Sequence, residues 1–558
     1  MDERGHRERE SFFRAAKVVA GLTLLSRVFG MVRDMSITWL GATWLTDAFQ
    51  IAFFLPNLFR RLFGEGVLSA AFIPVFTDTF EKSGRPDARR LLANALGLLA
   101  AFLSVLMLLC LAGLLIWVWR VGAERPDRQY LVLFAGIMLP FMVLVCMLAL
   151  ASAALNCRGR FAYPAAAPII LNLCMIAADW VAIAFWPGSV EAQLTTICAS
   201  VSVAGVIQVA GVFWLLRSMG LAARPRLRPV EPGIGKIVRT MAPALIGAGF
   251  LQISSLFDYA TMGLLSANQY TDALNIFGWE IHRPLEAGVV VKVIAANRLA
   301  TFPMGVFALS LGAAVFPLLS RYASRGDMLN LRDSLNRACR LAVTEGLATG
   351  VGMFMLAGPI VQLIYRHRGF TAADAQVTTR VLQFWVVGMW AFCLYPIMTR
   401  AFYSMKDTKT PLKIAACMSV LYMTLVVSLV FVPAIGPAAF GIVPSVTFGL
   451  NVLVMFLVLR KRIGRFGGRR LAASAARSAV AAGAMAAVLY GLRWLLGPSA
   501  RPALAVALGV PLGAGIFVLA AYLLRAPELG ELMRSFRPSS AKNKTAAQDY
   551  VNITDTKE

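Results

Sequence analysis

The sequence predicts an all-α polytopic membrane protein with about fourteen transmembrane helices. Three observations lead there. Of 558 residues, 58% are hydrophobic and only 15% charged, with a mean hydropathy of +0.69; soluble domains carry about 25% charged residues. Many apolar runs reach the roughly twenty residues that a helical span needs, where a membrane β-barrel would show alternating strands of about ten. The basic residues concentrate in alternate short loops, as membrane insertion requires. The net charge of +25 therefore reports topology, and nucleic acid is not an expected partner.

Taken in order, the apolar runs place spans at 12–40, 46–82, 89–118, 129–156, 163–186, 191–217, 236–266, 286–322, 331–365, 373–404, 411–432, 437–460, 471–496 and 502–524. With the N-terminus inside, the inner loops collect Lys82, Arg85, Arg89 and Arg90, then Arg158 and Arg160, then Arg217, Arg224, Arg226, Arg228, Lys236 and Arg239. Further along they hold Arg321, Arg325 and Arg332, then Lys406, Lys409 and Lys413, then Arg460 to Arg470. The outer loops hold few: Arg120, Arg125, Arg128, Arg283, Arg366, Arg368 and Arg501. A miscounted span would invert this bias downstream, so both termini are expected in the cytoplasm. With the charged start MDERGHRERE, no cleavable signal sequence is expected.

The chain also repeats. AAFIPVF at Ala70–Phe76 resembles AAVFPLL at Ala313–Leu319, with Pro74 and Pro317 243 residues apart; Pro164 and Pro411 are 247 apart in a looser pair. Six spans per repeat keep both halves in one orientation, a parallel repeat about an axis along the membrane normal. Chance likeness between apolar segments is the alternative. The expected division is a first lobe over 1–217, a cytoplasmic linker over 218–235, a second lobe over 236–460, two added helices over 461–525 and a polar, disordered tail over 526–558. The linker is basic and rich in Pro and Gly, and its charge suits anionic lipid headgroups.

Catalytic signatures are absent from the sequence. Eight cysteines form no CxxC and sit mostly in apolar runs; His6, His282 and His367 make no metal spacing; no Walker A or GxSxG motif occurs. Neither an enzyme nor a cofactor is expected. A transferase acting on a lipid carrier would need paired carboxylates, and the nearest pair, Asp327 and Asp333, lies among arginines.

The stretch from Ser26 to Pro74 is apolar enough to lie in a membrane, yet it carries Arg27, Arg33, Asp34, Asp47, Arg60, Arg61 and Glu65. Each buried charge costs about 2.5–3.5 kcal/mol on insertion scales. A water-filled cavity lined by arginines resolves that cost and suits an anionic ligand, phosphate above all, because the guanidinium fork donates in pairs. Arg27 and Asp34 share one helix face; Arg33 lies about 120° away on a straight helix. Both arginines face one cavity only if the helix bends, for which Gly30 is placed. The structural alternative is an ion pair of Arg33 with Asp34 or Asp47. Arg60 and Arg61 point apart, and Arg61 has Glu65 at i, i+4.

Three blocks here, SRVFGMVRD at Ser26–Asp34, TDAF at Thr46–Phe49 and LPNLFRRLFGEGVLSAAFIP at Leu55–Pro74, resemble the MurJ (MviN) family of lipid II flippases. NCRGRFAYPAAAP at Asn156–Pro168, NRLATFPMGVFALSLGAAVFPLLS at Asn297–Ser320 and AFYSMKDTKTP at Ala401–Pro411 extend the resemblance over nearly all of the chain to about residue 525. It implies two six-helix lobes around a central cavity, two C-terminal helices shaping a lipid groove, and an undecaprenyl-diphosphate-linked glycopeptide carried from the inner to the outer leaflet of the bacterial cytoplasmic membrane. It further implies substrate contacts at Arg27, Arg33, Arg60 and Arg298, converging on that cavity, with Asp34, Asp47 and Glu65 at supporting acidic positions. Expected partners are lipid II and membrane lipids; the chain is expected to act as a monomer, in company with cell-wall synthesis proteins.

Two departures stand out. Some relatives carry Glu three residues after the eighth-helix arginine, where this chain has Thr301. The segment between spans seven and eight is about twenty residues longer than usual; it is expected outside, as an extra helix on the membrane surface or a passive insertion. Transport is expected to draw on the membrane potential, since two negative charges crossing it gain roughly 4–5 kcal/mol per 100 mV. A sodium ion is the candidate coupling ion, with Asp258, Asp407 and Thr424 as its candidate ligands; a basic partner for Asp258, or a neutral Asp258, is the alternative. Rival functions are a flippase for another lipid-linked oligosaccharide and a cation-coupled drug exporter, which would favour an acidic, aromatic cavity.

Overall fold

The computed structural model describes residues 3–64, 67–121, 126–222, 224–267, 273–276, 279–306, 308–497, 501–528 and 530. Among them are sixteen α-helices: α1 Glu3–Thr38, α2 Trp44–Phe59, α3 Val67–Val121, α4 Pro126–Cys157, α5 Ala162–Phe185, α6 Val190–Ser218, α7 Pro232–Leu265, α8 Val289–Val306, α9 Ala308–Ser324, α10 Met328–Tyr365, α11 Ala372–Val387, α12 Met389–Ser404, α13 Lys409–Val430, α14 Ala439–Ile463, α15 Gly468–Leu496 and α16 Pro502–Leu523. A π-helical turn spans Arg60–Gly64, and β1 Ala273–Ile276 pairs antiparallel with β2 Trp279–His282.

Among the described residues the expected spans fall largely on helix, but the boundaries move where backbone chemistry dictates. Thr43 and Thr46 cap α2 reciprocally, and the helix gives way to the π turn four residues after its internal Pro56. The second and third expected spans meet inside α3, which kinks at Gly84 (φ 80°) two residues before Pro86. The break between α11 and α12 bends the chain by 46° at Gly388. There Ser445 of α14 accepts from the Gly388 N–H at 3.1 Å and donates to the Phe384 carbonyl at 2.7 Å. Among the described residues nine helices are long and apolar enough to cross a membrane, or ten if α11 and α12 form one bent span. Uninterrupted helix length therefore establishes a many-span helical protein and leaves the count of fourteen open.

By backbone contacts the chain divides into two units. The first comprises residues 1–295, 364–378 and 427–437. Its centre is α4, packed by α2, α3 and α6, with Phe49, Phe72, Phe76, Phe134 and Phe141 fully buried. The sequence division grouped α7 with the second lobe; α7 instead lies against α2 and α3, and Tyr259 stacks on Phe54 with centroids 4.1 Å apart. The second unit comprises residues 296–363, 379–426 and 438–558. In it α12 packs on α9 and α14, and α15 pairs with α16.

The long segment before α8 departs from expectation. It carries the hairpin β1–β2, in register Ala273↔His282 to Ile276↔Trp279, where an extra surface helix or a passive insertion was anticipated. The sequence alternates, with Leu274, Ile276, Trp279 and Ile281 apolar and Asn275 and Glu280 polar, a period of two that suits a strand and offers a helix no apolar face.

The linker is not a loose tether. Asn94 of α3, 2% exposed, donates to the carbonyls of Arg226 (3.1 Å) and Leu227 (3.3 Å) and accepts from the Glu231 N–H (3.0 Å). Arg226 also donates its N–H to Ala93 O at 2.9 Å. Gly97 makes the approach feasible, since a Cβ there would sit 2.2 Å from Arg226 O. Asn94→Ala leaves these groups without their partner, at about 1–3 kcal/mol. Faster tryptic cleavage of the purified protein after Arg226, which unlike Arg224 and Arg228 is not followed by proline, is the expected result; unchanged cleavage would show that the linker is held by other means.

Candidate functional site

The two arginines of α1 have different surroundings. The helix runs unbroken through Gly30, where α5 comes close instead: a Cβ on Gly30 would meet Asn172 Nδ2 at 3.6 Å. Around an ideal helix Arg27 and Arg33 are roughly 120° apart, and their surroundings differ accordingly. Arg27 is exposed, whereas Arg33 is 7% exposed. Arg33 Nε donates to Asp34 Oδ1 at 3.0 Å and Nη1 to Asn172 Oδ1 at 3.0 Å, with the guanidinium 5.4 Å from the Phe53 ring centroid. Asn172 is itself fixed by donating to Ser26 O at 3.1 Å. In this conformation Arg33 and Asp34 form the structural pair that was the alternative reading, and Arg27 is the open donor of the two.

Asp47 also serves the fold. Buried at the start of α2, its carboxylate accepts from Gly288 N (2.8 Å) and Val291 N (3.1 Å), capping the first turn of α8. Gly288 is required there: its φ is +82°, and a Cβ would sit 2.1 Å from Ala42 O. One turn on, buried Lys292 pairs with Asp374 at 3.0 Å and more loosely with exposed Glu286 at 3.8 Å. Asp374 and Thr371 cap α11 reciprocally, with Asp374 Oδ2 accepting from Thr371 N at 2.9 Å and Asp374 N donating to Thr371 Oγ1 at 3.2 Å. Sequence reasoning passed over Lys292, though a lysine in the apolar run VVVKVIAAN is the signal that an ionisable group inside a span needs a partner.

Arg60 opens the π turn with Nε donating to Asn57 Oδ1 at 3.2 Å, while Arg61 reaches Gln252 of α7 at 3.5 Å. The two adjacent side chains thus have different neighbours, as their spacing requires. Glu65, and with it the pairing expected for Arg61, lies outside the described residues. Arg298 is exposed on α8, and the Thr301 hydroxyl donates to its own helix at Asn297 O, 2.8 Å away. Thr301 therefore does not stand in for an acidic partner of Arg298.

Two of the three candidate cation ligands, Asp407 and Thr424, are engaged separately. Asp407 accepts from Lys409 N (3.1 Å) and Thr410 N (3.0 Å) and pairs with Arg462, whose Nη2 donates to Thr410 Oγ1 at 2.8 Å. The Thr410 hydroxyl and the Arg462 guanidinium hold this carboxyl below the usual carboxylate range. Thr424 donates to Val420 O at 3.0 Å. Seventeen residues of chain, nearly all in α13, separate it from Asp407, about 25 Å at 1.5 Å per residue. Asp407 is a helix cap, and these two residues cannot share one ion. Asp258 is half-buried on α7.

The model of one protein family, "Lipid II flippase MurJ", matches residues 37–499. A lipid II flippase MurJ of Burkholderia cenocepacia is 31% identical over 462 residues, covering 81% of this chain and 84% of that protein. A probable lipid II flippase MurJ of Rhizobium tropici is 28% identical over 549 residues, covering 95% and 98%. Among solved structures, a lipid II flippase MurJ in an inward closed conformation has a TM-score of 0.72 at 19% identity, covering 91% of this chain and 98% of that one. An inward-facing multidrug resistance MATE family transporter of the MOP superfamily has a TM-score of 0.63 at 14% identity, covering 81% and 99%. Those structural likenesses concern the fold alone, which flippase and drug transporter share; the sequence match separates them.

Proposed function

Because this chain belongs to the MurJ family of lipid II flippases, we propose that it carries lipid II from the inner to the outer leaflet of the bacterial cytoplasmic membrane. The single observation behind this reading is the family match across residues 37–499. The charged residues support it: Arg27 and Arg298 are exposed on helices that belong to apolar spans, and a guanidinium is suited to a diphosphate. On our reading the polypeptide crosses the membrane fourteen times, with α2 and the first part of α3 forming one broken span, α8 and α9 another, and α11 and α12 a third. The basic-loop bias places both termini in the cytoplasm. The protein acts as a single chain by alternating access, without ATP hydrolysis. The potential supplies the drive, at roughly 4–5 kcal/mol per 100 mV for two charges, and Asp258 remains the candidate for a coupled cation.

The test is replacement of an essential lipid II flippase by this gene in a depletion strain. Growth and normal cell shape are expected. Lysis with the protein present at normal level in the membrane would reject the assignment.

A further inference from the structure

The second unit presents a polar face whose role is unassigned. On α12, Tyr395, Thr399, Arg400 and Tyr403 fall within about 140° of one another around the helix axis. Ile397, Met398, Ala401 and Phe402 occupy the other side and are buried, whereas Tyr395, Thr399 and Arg400 are half-buried and Tyr403 is 44% exposed. A membrane helix does not turn an arginine and two tyrosines toward acyl chains without cost; such a face belongs against water or a polar ligand. The arginine is also given room. Gly312 of α9 is buried beneath it, and Arg400 Nη1 lies 2.1 Å from where a Cβ on Gly312 would be. Tyr395 is held edge-on against Phe448 of α14, with centroids 5.3 Å apart.

Resting on the flippase reading, we propose that Arg400, seated over Gly312 and flanked by Tyr395 and Tyr403, is a further contact for the diphosphate of the lipid substrate. Arg400 lies four residues before the end of α12 at Ser404, about 6 Å along the axis. The chain leaves that helix through the basic Lys406–Lys409 loop, which the charge bias puts on the inner face. This is headgroup depth, so Arg400 meets the diphosphate while the substrate still sits in the inner leaflet. Its planar fork can bind two phosphate oxygens at once, and Gly312 determines where that fork rests.

The experiment measures binding of undecaprenyl diphosphate, and of uncharged undecaprenol, to the full-length protein in nanodiscs. Arg400→Ala is expected to weaken diphosphate binding by roughly ten- to a hundredfold and to leave undecaprenol unchanged; Arg400→Lys recovers only part. Gly312→Ala displaces the guanidinium without removing its charge and is expected to weaken binding too, while Gly312→Ala combined with Arg400→Ala is no worse than Arg400→Ala alone. Wild-type affinity in Arg400→Ala, or additive losses in the double variant, would overturn the proposal and leave the flippase reading standing. A wild-type protein that distinguishes neither lipid would overturn both. Should Arg400→Ala not fold, the Gly312→Ala and Arg400→Lys comparison decides alone, and full affinity in both overturns the proposal.

Discussion

Arg27→Ala is expected to abolish or sharply reduce lipid II flipping at unchanged protein level and thermal stability, whereas Arg33→Ala is expected to lose both transport and stability. The difference follows from their surroundings. Arg27 is exposed on α1, so its removal costs the fold little and costs the substrate one charged hydrogen-bonding partner, about 1.5–3 kcal/mol. Arg33 is bonded to Asp34 and Asn172 beside Phe53. Deleting it removes the guanidinium from a partly buried carboxylate and an amide oxygen, and breaking a buried pair from one side typically costs about 3–5 kcal/mol; the 15% exposure of the Asp34 side chain places this case at or below the low end. Thermal unfolding of the purified variants, set beside their flipping activity, separates the two. Equal stability losses in both would show that Arg27 also serves the fold.

The largest purely structural effect is expected at Lys292. Its side chain is 6% exposed and its partner Asp374 12%, so Lys292→Met leaves a carboxylate facing apolar surroundings with no cation at 3.0 Å. A loss of about 3–5 kcal/mol is expected. Lys292→Met with Asp374→Asn is expected to recover much of it, since the amide oxygen can still accept from Thr371 in the α11 cap while carrying no charge. The check is the apparent melting temperature of the single and double variants in detergent. A double variant as unstable as Lys292→Met would show that packing of the lysine stem, not charge pairing, holds this corner.

Much of this molecule was legible in its sequence because a bilayer imposes long apolar helices. What hydropathy could not register were breaks at single residues. Gly388 and the turn after Pro56 bend or interrupt apolar runs without making them less apolar. Nor could it say which neighbour a span would choose: α7 follows the linker in sequence, yet Tyr259 and Gln252 carry it to α2 and the π turn. At the site, the pattern identified the charged residues but not their duties. Asp47 and Asp407 look alike as acids near apolar helices, and both prove to be caps for backbone N–H groups. The N–H groups that require a cap are uniform along any chain and leave no mark in composition. Lys292 did leave one, a single charge in an apolar run, and its partner 82 positions later is a relation that only the folded chain supplies.

The measurement closest to the central claim is the amount of lipid II reachable at the outer surface of cells whose own flippase has been depleted, read with a membrane-impermeant amine reagent. With this chain expressed, outer-leaflet lipid II is expected to return to the undepleted level, and to stay low with the Arg27→Ala variant at equal abundance. Lipid II that remains confined to the inner leaflet while the wild-type chain is present and folded in the membrane would contradict the account.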